Sequence, residues 1–303
     1  HRDLHSFPTR RSSDLSGSDH VGGANNTTGG ILFEEMSSDF EVRDCTLRRI
    51  RGNGIWTRAT GFNTRNQRGV IAGNVLEMVG RRAIEIDHAN RVRVENNQIR
   101  FTGFPAQAVD PDPLYLPAAL ATSQRVDESA FVSNTAADTN GRCFDLDGFH
   151  DGEISNNTCR NRGEPSEYPL SGYALALGNS FPDMDSQSVI IRANTFDGTR
   201  LGGIFLIGHN HKVTGNRLRN LNRAHCNLGL DNVPCEVPGG EPQFNTAGIY
   251  LAFRAQRPAQ ARQNLIQNNE IHGFQMKSNC IQTARGVSLT DNSVSANTCL
   301  DAE

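Results

Sequence analysis

The stretch CFDLDGFHDGEISNNTC, residues 143–159, places Asp145, Asp147, His150, Asp151 and Glu153 within nine residues. A second stretch, AIEIDHANRVRVENNQI at 83–99, carries Glu85, Asp87 and His88 in a similar order. Carboxylates two residues apart on an extended segment project from the same face. Several such groups at close quarters without counter-charge raise at least one pKa or attract a cation. A raised carboxyl beside an ionised one is the arrangement general acid and base chemistry needs, and His88 and His150 stand where a proton shuttle would. The same oxygen-rich cluster suits a hard cation such as Ca²⁺. No CxxC pair occurs among the seven cysteines, so a zinc framework is not expected.

The elements that position these residues come from internal repetition. At an offset of 60, Ile84, Glu85, Ile86 and Asp87 match Phe144, Asp145, Leu146 and Asp147, and Asn96-Asn97 matches Asn156-Asn157. Further copies are GVIAGNVL at 69–76, SVIIRANTF at 188–196, GGIFLIGHNHKVTGNRL at 202–218, GIYLAF at 248–253 with NLIQNNEI ending at 271, and GVSLTDNSV at 286–294. The recurring asparagines Asn74, Asn97, Asn157, Asn194, Asn216, Asn269 and Asn292 are separated by 23, 60, 37, 22, 53 and 23 residues. Those gaps describe a coil of about 23 residues with occasional insertions. Each coil holds a G-I-x-[IL] strand, a second alternating strand, the Asn, and a third short apolar strand. The Asn is expected at a left-handed turn, its side chain bonding backbone and stacking on its counterparts.

From about Gly30 to Cys299 these motifs resemble the right-handed parallel β-helix repeat proteins of the pectin-lyase-like superfamily. The resemblance implies an all-β, right-handed single-stranded parallel β-helix of three parallel sheets, with substrate along the first sheet, which holds the G-I-x-[IL] strands. Parity then sends Ile31/Phe33, Ile55/Thr57, Ile84/Ile86, Phe144/Leu146, Ala174/Ala176, Ile204/Leu206 and Ile249/Leu251 inward. The outward row is Leu32/Glu34, Trp56/Arg58, Glu85/Asp87, Asp145/Asp147, Leu175/Leu177, Phe205/Ile207 and Tyr250/Ala252. Its centre carries four carboxylates expected on consecutive coils, with Asp87 beside Asp147 and Glu85 beside Asp145.

Inserted segments at 104–130, 161–170 and 222–245 leave from one corner and are expected to wall the row on one side; 60–68, 179–187 and 254–262 are candidates for the other wall. A walled groove with sparse aromatics suits a polysaccharide, whose sugar faces stack on rings. Trp56, Arg58, Tyr250, His209 and Arg254 are the expected substrate-binding residues, and Glu85, Asp87, His88, Asp145, Asp147 and His150 the catalytic candidates. DLDG resembles the acidic strand of polygalacturonase-type hydrolases. The Asp-Asp pair that family carries on the next coil is replaced here by Leu175/Leu177, and Arg217-Leu218-Arg219 stands where Arg-x-Lys would be. IDHAN at 86–90 resembles pectate lyases without their basic pattern.

Residues 1–15, HRDLHSFPTRRSSDL, resemble the in-frame translation of a sequencing-library adapter. They are set aside as an artefact expected to be disordered, which would make the chain a fragment of a metagenomic gene. Residues 16–29 are then an N-terminal remnant and 30–303 the β-helix domain. A formal charge of −3 and the lack of any basic tract longer than two residues after residue 15 argue against nucleic acid, and no apolar run reaches membrane-spanning length. A disulfide between Cys226 and Cys235, which bracket one loop, would suit an extracellular or periplasmic protein.

The expected function is an exported, monomeric carbohydrate-active protein that cleaves a polysaccharide as a lyase or a glycoside hydrolase. The alternative is a non-catalytic glycan-binding or structural module, since β-helices need no catalysis. A third reading uses His209 and His211 as metal ligands of a periplasmic accessory protein.

Overall fold

A computed structural model describes residues 12–14, 29–104, 116–180, 186–226, 246–253 and 257–302. The chain winds as a parallel β-helix. Among the described residues three sheets of 11, 9 and 10 strands run along it, and their strands pair in parallel. One coil illustrates the rest: Asn53–Arg58 in the first sheet, Val70–Ala72 in the second, Val75–Val79 in the third, then Arg82–Asn90 back in the first.

Alternation drives this winding, because one face of every strand must leave water. Ile55, Ile84, Ile86, Leu120, Phe144, Leu146, Ile204, Leu206, Ile249 and Leu251 are all 0–1% exposed and stack in the interior. Phe131, Phe144 and Phe196, one from each sheet, meet edge to face at 5.8 and 6.0 Å between centroids. At Gly54 a Cβ would stand 2.4 Å from the Ala83 carbonyl oxygen of the next coil, so only a bare backbone fits there.

The asparagine ladder stands at the corner between the second and third sheets. Asn74, Asn97, Asn134, Asn157, Asn194, Asn216, Asn269 and Asn297 are linked by amide-to-amide bonds of 2.9–3.0 Å. From Asn97 onward each Oδ1 also accepts the preceding ladder residue's backbone N–H, as Asn97 does from Asn74 at 3.0 Å, while the Asn74 Oδ1 accepts from the Cys45 N–H. Two expectations change. The left-handed residue is the one before the ladder, as at Gly73, Asn96, Ser133, Asn156 and Asn268, and the ladder Asn itself stands just ahead of a third-sheet strand. Asn292 belongs to a second ladder, His211–Asn264–Asn292, and Asn297 takes its place in the first.

The separation of 60 residues conceals a whole coil. Ala118–Asp127, expected as part of a loop at 104–130, is a ten-residue strand of the first sheet, lying between Arg82–Asn90 and Arg142–Asp147. Ala130–Val132, Asn134 and Thr135–Thr139 complete that coil. Parity also changes on one strand. Phe144 pairs with Leu175 and Leu146 with Leu177, so the leucines point inward and Ala176 and Gly178 stand opposite Asp145 and Asp147. Both Ala and Leu are apolar, so ALAL alternates equally well in either phase.

Cys143–Cys159 and Cys280–Cys299 are disulfides, with Cα atoms 6.3 and 5.7 Å apart. They occupy the same repeat position: Cys143, near the start of a first-sheet strand, and Cys280, just before one, each join a cysteine on the third sheet. Cys226 is also disulfide-bonded, and the expected partner Cys235 lies outside the described residues. Ser12–Asp14 pairs in parallel with Thr46–Arg48. An exposed sheet edge offers backbone groups to any extended segment, whatever its sequence. Among the described residues no helix is long and apolar enough to cross a membrane.

Candidate functional site

The outward face of the first sheet carries a continuous row: Trp56, Glu85, Ala121, Asp145, Ala176, Phe205, Tyr250 and Gln282, each paired with the next. Two residues further along the strands, Asp87 pairs with Ser123, and Asp147 with Gly178. The carboxylates therefore do not sit on consecutive coils. The Ala118–Asp127 strand places Ala121 and Ser123 between the two acidic pairs. Two strand spacings set Asp87 and Asp147 roughly 9.5 Å apart at the backbone.

The expected lack of counter-charge is also corrected. Arg82 holds Glu85 through one guanidinium nitrogen and Asp145 through another at 3.1 Å, while Arg142 binds Asp145 at 2.5 Å. Asn53 and Ser123 donate to Glu85 at 2.6 and 2.7 Å. Burial pushes the Asp145 carboxyl up, but Arg142 and Arg82 outweigh it and hold the group below its ordinary value. The signal was in the sequence: RAIEID and RCFDLD place an Arg three residues before each acid at the same offset of 60.

Asp87 and Asp147 differ from that pair. Asp87 is 4% exposed, and burial followed by the neighbouring Glu85 charge raises its pKa well above the ordinary range. Its Oδ2 accepts a long bond from Gln124 at 3.4 Å, and its buried Oδ1 has no hydrogen-bond partner among the described residues. Asp147 is half-buried; burial raises its pKa too, against a 2.8 Å bond from the Ser180 backbone N–H to Oδ1. A register shift between Ser123 and Val126 aims Gln124 toward Asp87, and positive φ angles at His88 (39°) and Gln124 (57°) stand beside it. Bulges of this kind redirect side chains at the edges of sites.

Trp56 is half-buried; its ring lies 5.7 Å from the Arg58 guanidinium, and its buried Nε1 has no hydrogen-bond partner among the described residues. Arg58 pairs with Glu34 at 3.2 Å. Tyr250 faces outward as expected but is 1% exposed and stacks on Phe205 with centroids 6.0 Å apart. It is a packed ring rather than an open platform for sugar. Arg254 lies outside the described residues.

The histidines separate. His88 is buried beside Asp87. His150 meets Asp151 at 2.9 Å and stands 3.8 Å from Asp127, which also receives Arg65 and Asn90. Asp127 and Arg65 form a corner network that the repeat pattern did not reveal. His209 bridges Gln187 and Arg262 at the corner leading into the second sheet. His211 is fully buried: its Nδ1 accepts from the Val189 N–H at 3.1 Å, and its Nε2 donates to the Ile207 carbonyl at 2.8 Å. Burial pushes it down to about 4, and with both ring nitrogens taken by backbone groups it serves as a rung of the second ladder rather than a metal ligand. Among the described residues no group of three His, Cys, Asp or Glu side chains is arranged to hold a metal ion. The acidic row does not form the expected Ca²⁺ cage, because Arg82 lies between Glu85 and Asp145.

No protein-family model matches this chain, and no curated protein does. Solved structures do match. A DFA-IIIase from Arthrobacter chlorophenolicus A6 in complex with DFA-III aligns with a TM-score of 0.61 at 14% identity, covering 99% of this chain and 64% of that one. The same enzyme in complex with GF2 aligns at 0.52 and 9% identity, covering 94% and 65%. The Siphovirus 9NA tailspike receptor binding domain aligns at 0.53 and 11% identity, covering 91% and 50%. The chain thus spans less than two thirds of each. These likenesses define its class, a parallel β-helix protein.

Proposed function

We propose that this chain is an exported, carbohydrate-active β-helix that hydrolyses glycosidic bonds with inversion. The observation that carries the reading is the pair Asp87 and Asp147, raised carboxyls set across a floor of Ala121 and Ser123. Inverting glycosidases hold their two carboxyls roughly 6.5–9.5 Å apart, and two strand spacings supply about that separation. Asp87, the more strongly raised, keeps its proton and gives it from the carboxyl to the departing glycosidic oxygen. Asp147 takes a proton from a water whose oxygen bonds to the anomeric carbon as the C–O bond breaks. Glu85 and Asp145, neutralised by Arg82 and Arg142, hold the local charge constant through the step.

The carbohydrate named in the DFA-IIIase complexes supports a glycan as substrate, and the disulfides support export. A lyase would need a basic residue free to remove a sugar proton, and the guanidinium groups beside this row are engaged. The non-catalytic reading is favoured by the 4% exposure of Asp87. Proton NMR of the first-formed product decides the stereochemistry: inversion is expected, and a retained anomer or an unsaturated product overturns the assignment.

A further inference from the structure

We infer that the glycan accepted on this row is neutral, not a uronate polymer; this rests on the row being the glycan site proposed above. The inference comes from charge accounting on the outward face. Arg58, Arg82 and Arg142 are the guanidinium groups that the described strands bring to this row, and each already holds a protein carboxylate: Glu34, the Glu85–Asp145 pair, and Asp145. Beyond it, Arg65 and Arg125 are both paired with Asp127, Arg125 at 3.8 Å. A sugar carboxylate laid over Ser123 and Gly178 would find no spare cation among the described residues, and it would stand beside Asp147 and Asp87. Burying an unpaired charge is strongly unfavourable, and close carboxylates cannot all ionise.

What the face does present suits hydroxyl groups. The Trp56 Nε1–H and the Asp87 Oδ1 are buried polar atoms without partners among the described residues, on neighbouring strands of the same face. A buried donor left without a partner is unfavourable. A sugar hydroxyl or ring oxygen can accept from the indole, and a hydroxyl can donate to or accept from the carboxyl, with no charge brought in. The small side chains of Ser123 and Gly178, both partly exposed, keep bulk away from the strip beside Asp87 and Asp147.

The test is affinity electrophoresis of the full chain and of Asp147→Asn in gels cast with neutral polysaccharides (β-glucan, xylan, mannan, fructan) or uronate polymers (polygalacturonate, alginate). Retardation by at least one neutral polymer, at a concentration at least tenfold below that for any uronate, is the expected result for both proteins. Uronate retardation equal to or stronger than neutral, or none in any gel, overturns the inference. A reducing-end assay on the same gel polymers separates the two ideas. Product from a uronate refutes neutrality and leaves the hydrolytic reading intact. Neutral retardation without product upholds neutrality and removes the hydrolytic reading.

Discussion

Arg82 reaches across an entire strand to Asp145, 63 residues away in sequence, and meets its Oδ2 at 3.1 Å while its other terminal nitrogen holds Glu85. The side chains of Arg82 and Glu85 are 6% and 4% exposed, so this is a buried ion triad and not a surface pair. Removing one member of such a group strands the others. Arg82→Ala should lower stability by about 3–5 kcal/mol, and Arg82→Lys by less, in denaturant unfolding. A change within 0.5 kcal/mol for Arg82→Ala would show the triad to be energetically idle.

Asp87 carries the opposite electrostatics. Its folded pKa lies above the unfolded value, so its contribution to stability is full below the unfolded pKa and is lost as pH rises through the folded pKa. Asp87→Asn removes that loss. The variant should be more stable than the parent at neutral pH, with the gain shrinking as pH falls toward 4. Thermal unfolding from pH 4 to 8 reads the trend, and a gain independent of pH contradicts it.

Gly178 keeps the space beside Asp147 open. A Cβ there would meet Asp147 Oδ1 at 3.1 Å, and Gly178 has no positive φ, so alanine costs little backbone strain. Gly178→Ala should leave the melting temperature nearly unchanged while lowering kcat by about tenfold to a hundredfold, because displacement by an ångström or less at a catalytic group is costly. Unchanged kcat would show that Asp147 need not stay where it is.

The asparagine ladder is a stability device. The Asn157 amide accepts from Asn134 N at 2.9 Å and donates to the Phe131 carbonyl at 2.9 Å and the Asn194 Oδ1 at 2.9 Å. Asn157→Ala leaves these buried groups unpaired at about 1–3 kcal/mol each, and a loss of about 3 kcal/mol or more is expected in denaturant unfolding. Asn297, on a half-buried rung near the final coil, should cost less when changed to alanine.

The winding itself was legible because alternation and Asn spacing are local signals that recur in every coil. What failed failed for definable reasons. The Ala118–Asp127 strand begins PAAL instead of G-I-x-[IL], and alanines carry almost no periodicity, so its coil looked like an insertion. Restoring it moved the acidic pairs apart and brought Ala121 and Ser123 between them. Glu85, Asp87, Asp145 and Asp147 share one face by simple alternation, whereas the link Arg82 makes between Glu85 and Asp145 joins strands that no local pattern connects. The burial of Tyr250 depends on long-range packing against Phe205, which no local pattern records.

The central claim is that Asp87 and Asp147 divide the acid and base roles of a glycan hydrolysis. The decisive measurement is the rate of new reducing ends from the polysaccharide the parent cleaves, for Asp87→Asn and Asp147→Asn, with folding confirmed by circular dichroism. Each variant should fall by about 10²–10⁴-fold while remaining folded. Parental rates in both folded variants, or no product from the parent on any neutral or uronate glycan, would contradict the account.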